Sequence, residues 1–271
     1  MMIEIGDHNY EAFVEPTAEH GGGEPRLMGL LPRKVAYGAV PGVATAEGNI
    51  ARIPMAEWPD WIADLERNRA TLWHLWKDSP IGVLDQNGLS YCHAFSCVDA
   101  LMLVRHAMGL PYVELSAGSI GGPVTGYRNQ GAYILDDLHR VVKYGAASTE
   151  FVPMRQVSRS GWKPGADENC KLHQATEFWD GKPRDFELQG SALLQGFATC
   201  DGYDWWRHAV TGLRLVDLNN GRPATDHLRY AKDILNSWGP EWSENGVGRL
   251  TGTKKIADEW YVQRQATASR V

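Results

Sequence analysis

Apolar and polar positions change rhythm along the chain. From Glu15 to about Ile53 neither a helical nor an alternating period is sustained. Glycine, proline and alanine dominate there, as in Glu19-His20-Gly21-Gly22-Gly23-Glu24-Pro25. Residues 1–60 therefore read as a loop-rich N-terminal arm, and 61–271 as the main domain. Trp58-Pro59-Asp60-Trp61-Ile62-Ala63-Asp64-Leu65 and Leu72-Trp73-His74-Leu75-Trp76 place apolar residues at helical spacing. They predict one or two short amphipathic helices whose tryptophans pack against a core. The clearest helix runs from about Tyr91 to Met108, with Gly109-Leu110-Pro111 as its stop, and a second covers Tyr133 to Tyr144, ending at Gly145.

The stretch from Gly161 to Gly190 is polar and dotted with glycine and proline, and predicts loops or short strands. Beyond Ala209 the pattern changes again. Leu213-Arg214-Leu215-Val216-Asp217-Leu218 and Ala231-Lys232-Asp233-Ile234-Leu235 are strand-like runs separated by the turn Asn219-Asn220-Gly221-Arg222-Pro223. Helices first and strands afterwards predict an α+β fold without internal repeats.

Composition narrows the partners. The net charge of -6 and scattered basic residues argue against nucleic acid, and no run approaches the ~20 apolar residues that span a bilayer. The first residues carry acidic groups and no apolar signal-peptide core, so the reading is a soluble protein without a signal or transmembrane segment. Cys92, Cys97, Cys170 and Cys200 form no C-x-x-C pair, and reduced thiols are the simpler expectation. The histidines make no H-E-x-x-H helix and no zinc spacing, so no metal site is expected.

Cys92 falls in the first turn of the best helix, where unpaired N–H groups and the helix dipole favour thiolate over thiol. Its neighbours give that position chemical content. Gln86 lies six residues before it and Ala94-Phe95-Ser96 begins two after; downstream come Arg207-His208-Ala209-Val210 and Asn236-Ser237-Trp238-Gly239-Pro240-Glu241-Trp242, followed by Gly246-Val247-Gly248. Between them Gln130-Gly131-Ala132-Tyr133 leads into the second predicted helix. From Gln86 to Gly248, these segments resemble, in order, the active-site segments of the papain-like cysteine proteases.

That resemblance implies a papain-like α+β fold, a helical half carrying the nucleophile and a strand-rich half flanking an active-site cleft. It implies a cysteine-type peptidase that needs no cofactor and takes protein or peptide substrates. Cys92 is the implied nucleophile, His208 its base, Asn236 the group orienting the imidazole, and Gln86 an oxyanion donor. Trp238 would shield the histidine–asparagine contact. Gly131, with Ala132 beside it, is the implied point of close approach for a substrate backbone, and Gly121-Gly122 is the alternative register.

The sequence also departs from the family. Leu89-Ser90-Tyr91-Cys92-His93 replaces the usual C-G-[SA]-C-[WY], so Tyr91 is expected to add bulk beside the scissile bond, and His93 to pack behind the nucleophile. Arg207 puts a cation next to His208, and a longer interval from His208 to Asn236 falls on the Asn219–Pro223 turn. For the arm, docking onto a larger assembly or wrapping around the domain are preferred over inhibiting the cleft. A cytoplasmic or virion-associated protein fits these features. The rival reading is a papain-like scaffold kept as a binding or assembly component, for example of a phage virion, with weak or no turnover.

Overall fold

The structure is a computed structural model that describes residues 1–14 and 27–266. The glycine-rich part of the arm, Glu19 to Pro25, lies outside the described residues. The chain opens with a two-residue strand β1 (Glu4–Ile5) and a single helical turn α1 (Glu11–Val14), and reaches a second two-residue strand β2 (Ala44–Thr45). Two short helices follow, α2 (Trp58–Arg67) and α3 (Leu72–Lys77), where the tryptophan spacing places them.

The central helix α4 (Cys92–Ala107) is buried along nearly its whole length, including Arg105. It contains no glycine or proline, and Gly109 at φ 70° lets the chain turn out of it, with the Leu110 N–H donating back to the Arg105 carbonyl at 3.0 Å. α5 (Gly118–Val124) and α6 (Ile134–Lys143) pack against its side. α6 is amphipathic, burying Ile134, Leu135, Leu138 and Val141, and it ends at Gly145 at φ 80°.

The stretch expected as loops or short strands holds the strand β3 (Ala175–Asp180), and beside it two helices that were not expected, α7 (Ala166–Lys171) and α8 (Phe186–Leu194). α8 is masked in the sequence by Gly190, which is there for packing: a β-carbon at that position would come 2.4 Å from the Trp58 ring. Its start is set by Asp185, whose side chain accepts from the Leu188 N–H at 3.0 Å.

The remaining strands are β4 (Thr199–Tyr203), β5 (His208–Asp217), β6 (Tyr230–Leu235), β7 (Val247–Leu250) and β8 (Glu259–Ala266). They complete an eight-stranded sheet of order β1-β7-β6-β5-β4-β8-β3-β2. Neighbours are antiparallel except at the two edges, where β1 joins β7 and β2 joins β3 in parallel. Both edge strands come from the first 60 residues, so this part of the chain lies against its own domain. α4 packs on β5 and β8, and the cleft lies where its N-terminus meets the start of β5. No helix among the described residues is long and apolar enough to cross a membrane. All four cysteines are buried and free.

Candidate active site

Cys92 is the first residue of α4, and its preceding residue Tyr91 leaves the helix at φ −109°. The Tyr91 ring does not enter the cleft as its size led one to expect. It turns into the core against Gly121, and its hydroxyl lies 2.9 Å from both Thr125 Oγ1 and the Arg128 carbonyl. Gly121 and Gly122 thus serve the packing of Tyr91 and Tyr127. His93 turns away as well. Its Nδ1 lies 2.5 Å from Asp137 Oδ2, with both side chains fully buried.

His208 opens β5 after a tight hairpin in which Arg207 takes φ 51°. That turn leaves the Arg207 side chain exposed, so its cation points out to solvent. His208 Nε2 is 2.8 Å from Asn236 Oδ1, and Asn236 directly follows β6. Trp206 and Trp238 flank the imidazole at centroid distances of 4.8 and 5.0 Å. The extra residues between His208 and Asn236 lie at the far end of the β5–β6 hairpin, which explains why they leave this contact undisturbed.

Cys92 Sγ lies against the N–H groups of Ala209, Gly29 and His93, which places it beside the residue following His208. No hydrogen bond joins it to His208, whose Nδ1 is buried and has no hydrogen-bond partner among the described residues. Burial dominates both ionisations. It pushes the thiol up to about 11, against the smaller effect of the three N–H groups. It holds the imidazole down at about 4, against the Asn236 hydrogen bond. The pair is therefore neutral in this state.

Gln86 is tied to the segment after Asn236: its N–H donates to the Ser237 carbonyl at 2.8 Å, and its Oε1 accepts from Ser237 Oγ at 2.7 Å. Its Nε2 donates to the carbonyls of Leu89, at 2.7 Å, and Leu27, at 2.8 Å. The second acceptor belongs to the N-terminal arm. Ala132 N–H donates to Gly29 O at 3.0 Å, Leu31 N–H to Ala132 O at 3.1 Å, and Leu30 N–H to Arg207 O at 3.1 Å. Leu30 and Ala132 form a parallel bridge.

The segment from Leu27 to Leu31 therefore crosses the cleft, and Cys92, His208, Asn236 and Gln86 are each 0% exposed beneath it. Wrapping, one of the two preferred arrangements of the arm, is what this segment shows, and its course runs over these four side chains. The close approach needs glycine on both sides. A β-carbon at Gly29 would come 1.9 Å from the Ser90 carbonyl oxygen, and one at Gly131 would come 2.4 Å from the Gly29 oxygen. Leu30 is buried, within 3.0 Å of where a Gly202 β-carbon would stand, and Gly202 also faces Glu259. Arg33 fastens the far end through a bidentate pair with Asp180, both contacts 2.7 Å.

Sequence reasoning missed Gly29, Leu30, Trp206, Asp137 and Glu259. The run Met28-Gly29-Leu30-Leu31 is a short apolar patch around one glycine, but nothing local names the residues it meets. Asp137 has no local signal, because its partner His93 is distant in the chain, whereas Trp206 stands only two residues before His208.

No protein family matches the sequence, and no curated protein matches it either. Solved structures do match. Xylellain, a cysteine protease from Xylella fastidiosa, superposes with a TM-score of 0.59 at 14% identity, over 91% of this chain and 97% of that one. Digestive procathepsin L 3 from the larval midgut of Tenebrio molitor gives 0.58 at 15%, over 95% and 79%. The ragweed pollen cysteine protease Amb a 11, in its proform, gives 0.54 at 18%, over 70% of this chain and 64% of that one. The Cys92 helix, the His208 hairpin and the strand-rich half beyond them thus sit in the α+β fold of the papain-like cysteine proteases.

Proposed function

We propose that the protein is a cysteine peptidase whose cleft is closed at rest by its own N-terminal segment. The observation that carries this reading is the pairing of His208 Nε2 with Asn236 Oδ1 at 2.8 Å, which leaves Nδ1 free beside the residue that holds Cys92 Sγ. A buried asparagine oxygen fixes the Nε2–H tautomer and so makes Nδ1 the basic nitrogen.

With the segment withdrawn, water and substrate dipoles reach the pair, and the burial that keeps it neutral is relieved. Cys92 passes its proton to His208 Nδ1, and the sulfur attacks the scissile carbonyl carbon. The oxygen takes the charge toward Gln86 Nε2 and the Cys92 N–H, a contribution of ~3 kcal/mol per donor in comparable sites. The imidazolium returns its proton to the departing amine, leaving a thioester that water opens with His208 as base. Substrate backbone would take the place of Gly29–Leu31 along Gly131 and Ala132, with an apolar side chain in the Leu30 position above Gly202.

The filled cleft also favours a second reading, a scaffold whose site has become an internal packing surface. Labelling with a peptidyl epoxide separates the two. Exclusive modification of Cys92, abolished in His208→Ala and unaffected in Cys97→Ala, supports the peptidase. Equal reactivity of Cys92 and Cys97, in the intact protein and after the cleft segment is displaced, supports the scaffold.

A further inference from the structure

The peptidase reading uses one end of α4. On the outer side of α6, where it meets α5, α7 and the turn at Arg159–Gly161, charged and aromatic side chains converge on a separate cavity of about 360 Å³. Arg140 is half-buried there. Its Nε donates to the Ser119 carbonyl at 3.0 Å, and its guanidinium lies over the rings of Tyr144 at 5.2 Å and Trp162 at 6.0 Å. With Nε bound to Ser119, the two Nη groups are left for a ligand in the cavity that Arg140 lines.

The charges do not balance. Asp167 is the one carboxylate among the lining residues, and Arg159 already holds it with contacts of 3.0 and 2.5 Å. Arg140 and Lys171 are left without an ion-pair partner among the described residues. Burial, the largest influence, lowers the ionisation of the Arg140 guanidinium, as expected of a cation whose charge is under-compensated.

The wall facing them is strained. Tyr127 takes φ 60°, a left-handed backbone rare for an aromatic residue, and its N–H donates to the Gly122 carbonyl at 2.6 Å. This conformation sets its ring edge-on to Trp162 at 6.4 Å. Backbone strain persists where the surroundings enforce it, and it gathers at ligand sites. An oxyanion alone would fill a small part of the cavity, and the aromatic rings provide walls for an apolar body.

We propose that this cavity binds an oxyanion, a phosphate or carboxylate group carried on an apolar or aromatic body, with Arg140 as its bidentate anchor and Lys171 as the second cation. The site shares no residue with the proposed peptidase centre, so each reading stands or falls alone.

Calorimetric titration of the full chain with phenyl phosphate, benzoate and inorganic phosphate at low ionic strength tests it. One-to-one binding of phenyl phosphate or benzoate is expected, tighter than inorganic phosphate, and the tighter of the two identifies the head group. Arg140→Gln should weaken it at least tenfold, the scale of a lost charge-assisted pair, and Lys171→Gln by about threefold. Absence of binding by all three at millimolar concentration overturns the proposal, as does an unchanged affinity in Arg140→Gln. If that variant does not fold, unchanged affinity in both Lys171→Gln and Tyr144→Ala overturns it equally.

Discussion

The carbonyl oxygen of Leu27 lies 2.8 Å from the side-chain nitrogen of Gln86, so the donor assigned to a substrate oxyanion is occupied by the protein's own backbone. Together with Gly29 against Ser90 and Leu30 beside Ala132, this contact makes the cleft segment a close steric copy of an extended peptide.

Gly29→Ala tests how tightly that copy fits. The new methyl group would come 1.9 Å from a backbone oxygen, which cannot yield as a flexible side chain would. The segment should leave the cleft while the rest of the fold holds. The second-order rate of Cys92 alkylation by a peptidyl epoxide should then rise at least tenfold over the unaltered protein. An unchanged rate would show that the cleft is not closed by this segment.

Asn236→Ala, made in the Gly29→Ala background, removes the group that fixes the His208 tautomer. Alkylation and peptide turnover should fall by about 10²-fold, with kcat affected and KM nearly unchanged. A loss confined to KM would assign Asn236 to binding instead.

Glu259 gives a pH signature. Burial raises its ionisation from 4.5 to about 7, against hydrogen bonding from Tyr261 and the charge of Arg33. Between those values the folded chain holds a proton that the unfolded chain has lost. Stability should therefore fall as pH rises through this window and level off above it, by at most about 3 kcal/mol. In Glu259→Gln this component vanishes. His208, lowered to about 4, has the opposite slope from 4 to 6.5, so the quantity to follow is the difference in Tm between the two proteins against pH. A constant difference would refute the assignment.

Lys232 is fully buried, with Nζ 2.8 Å from Asp201 Oδ2 and 3.0 Å from Gln189 Oε1. Lys232→Met strands the carboxylate among β4, β5 and α8, and should cost about 3–5 kcal/mol in urea unfolding. Replacing Asp201 by Leu as well should recover most of that loss. A single variant as stable as the parent would mean that Asp201 is neutral in the fold.

Much of this was legible in the chain. Cys92, His208 and Asn236 stand in local motifs, and α4 and α6 are bounded by Gly109 and Gly145, whose left-handed turns leave a mark in sequence. α8 was not legible, because Gly190 answers to Trp58, more than a hundred residues earlier, and so mimics a loop signal. Tyr91 misled for a related reason: its size was visible, but the glycine that receives its ring lies on another helix. His93 gave no hint of Asp137, since a buried polar contact between two helices depends on their packing. The cleft segment was hidden most fully, its partners Gln86, Ala132 and Arg207 being scattered over the chain.

The parallel edge pairing of β1 with β7, from Glu4 to Arg249, has a consequence for biosynthesis. At ~5–20 residues per second, the first strand emerges from the ribosome roughly 10–50 s before the strand that receives it. Throughout that interval Ile5, fully buried in the finished fold, has no native partner in β7. Sheet completion therefore waits for β7 to be made, and a ribosome stalled before Val247 would carry a nascent chain whose β1 edge is still unformed.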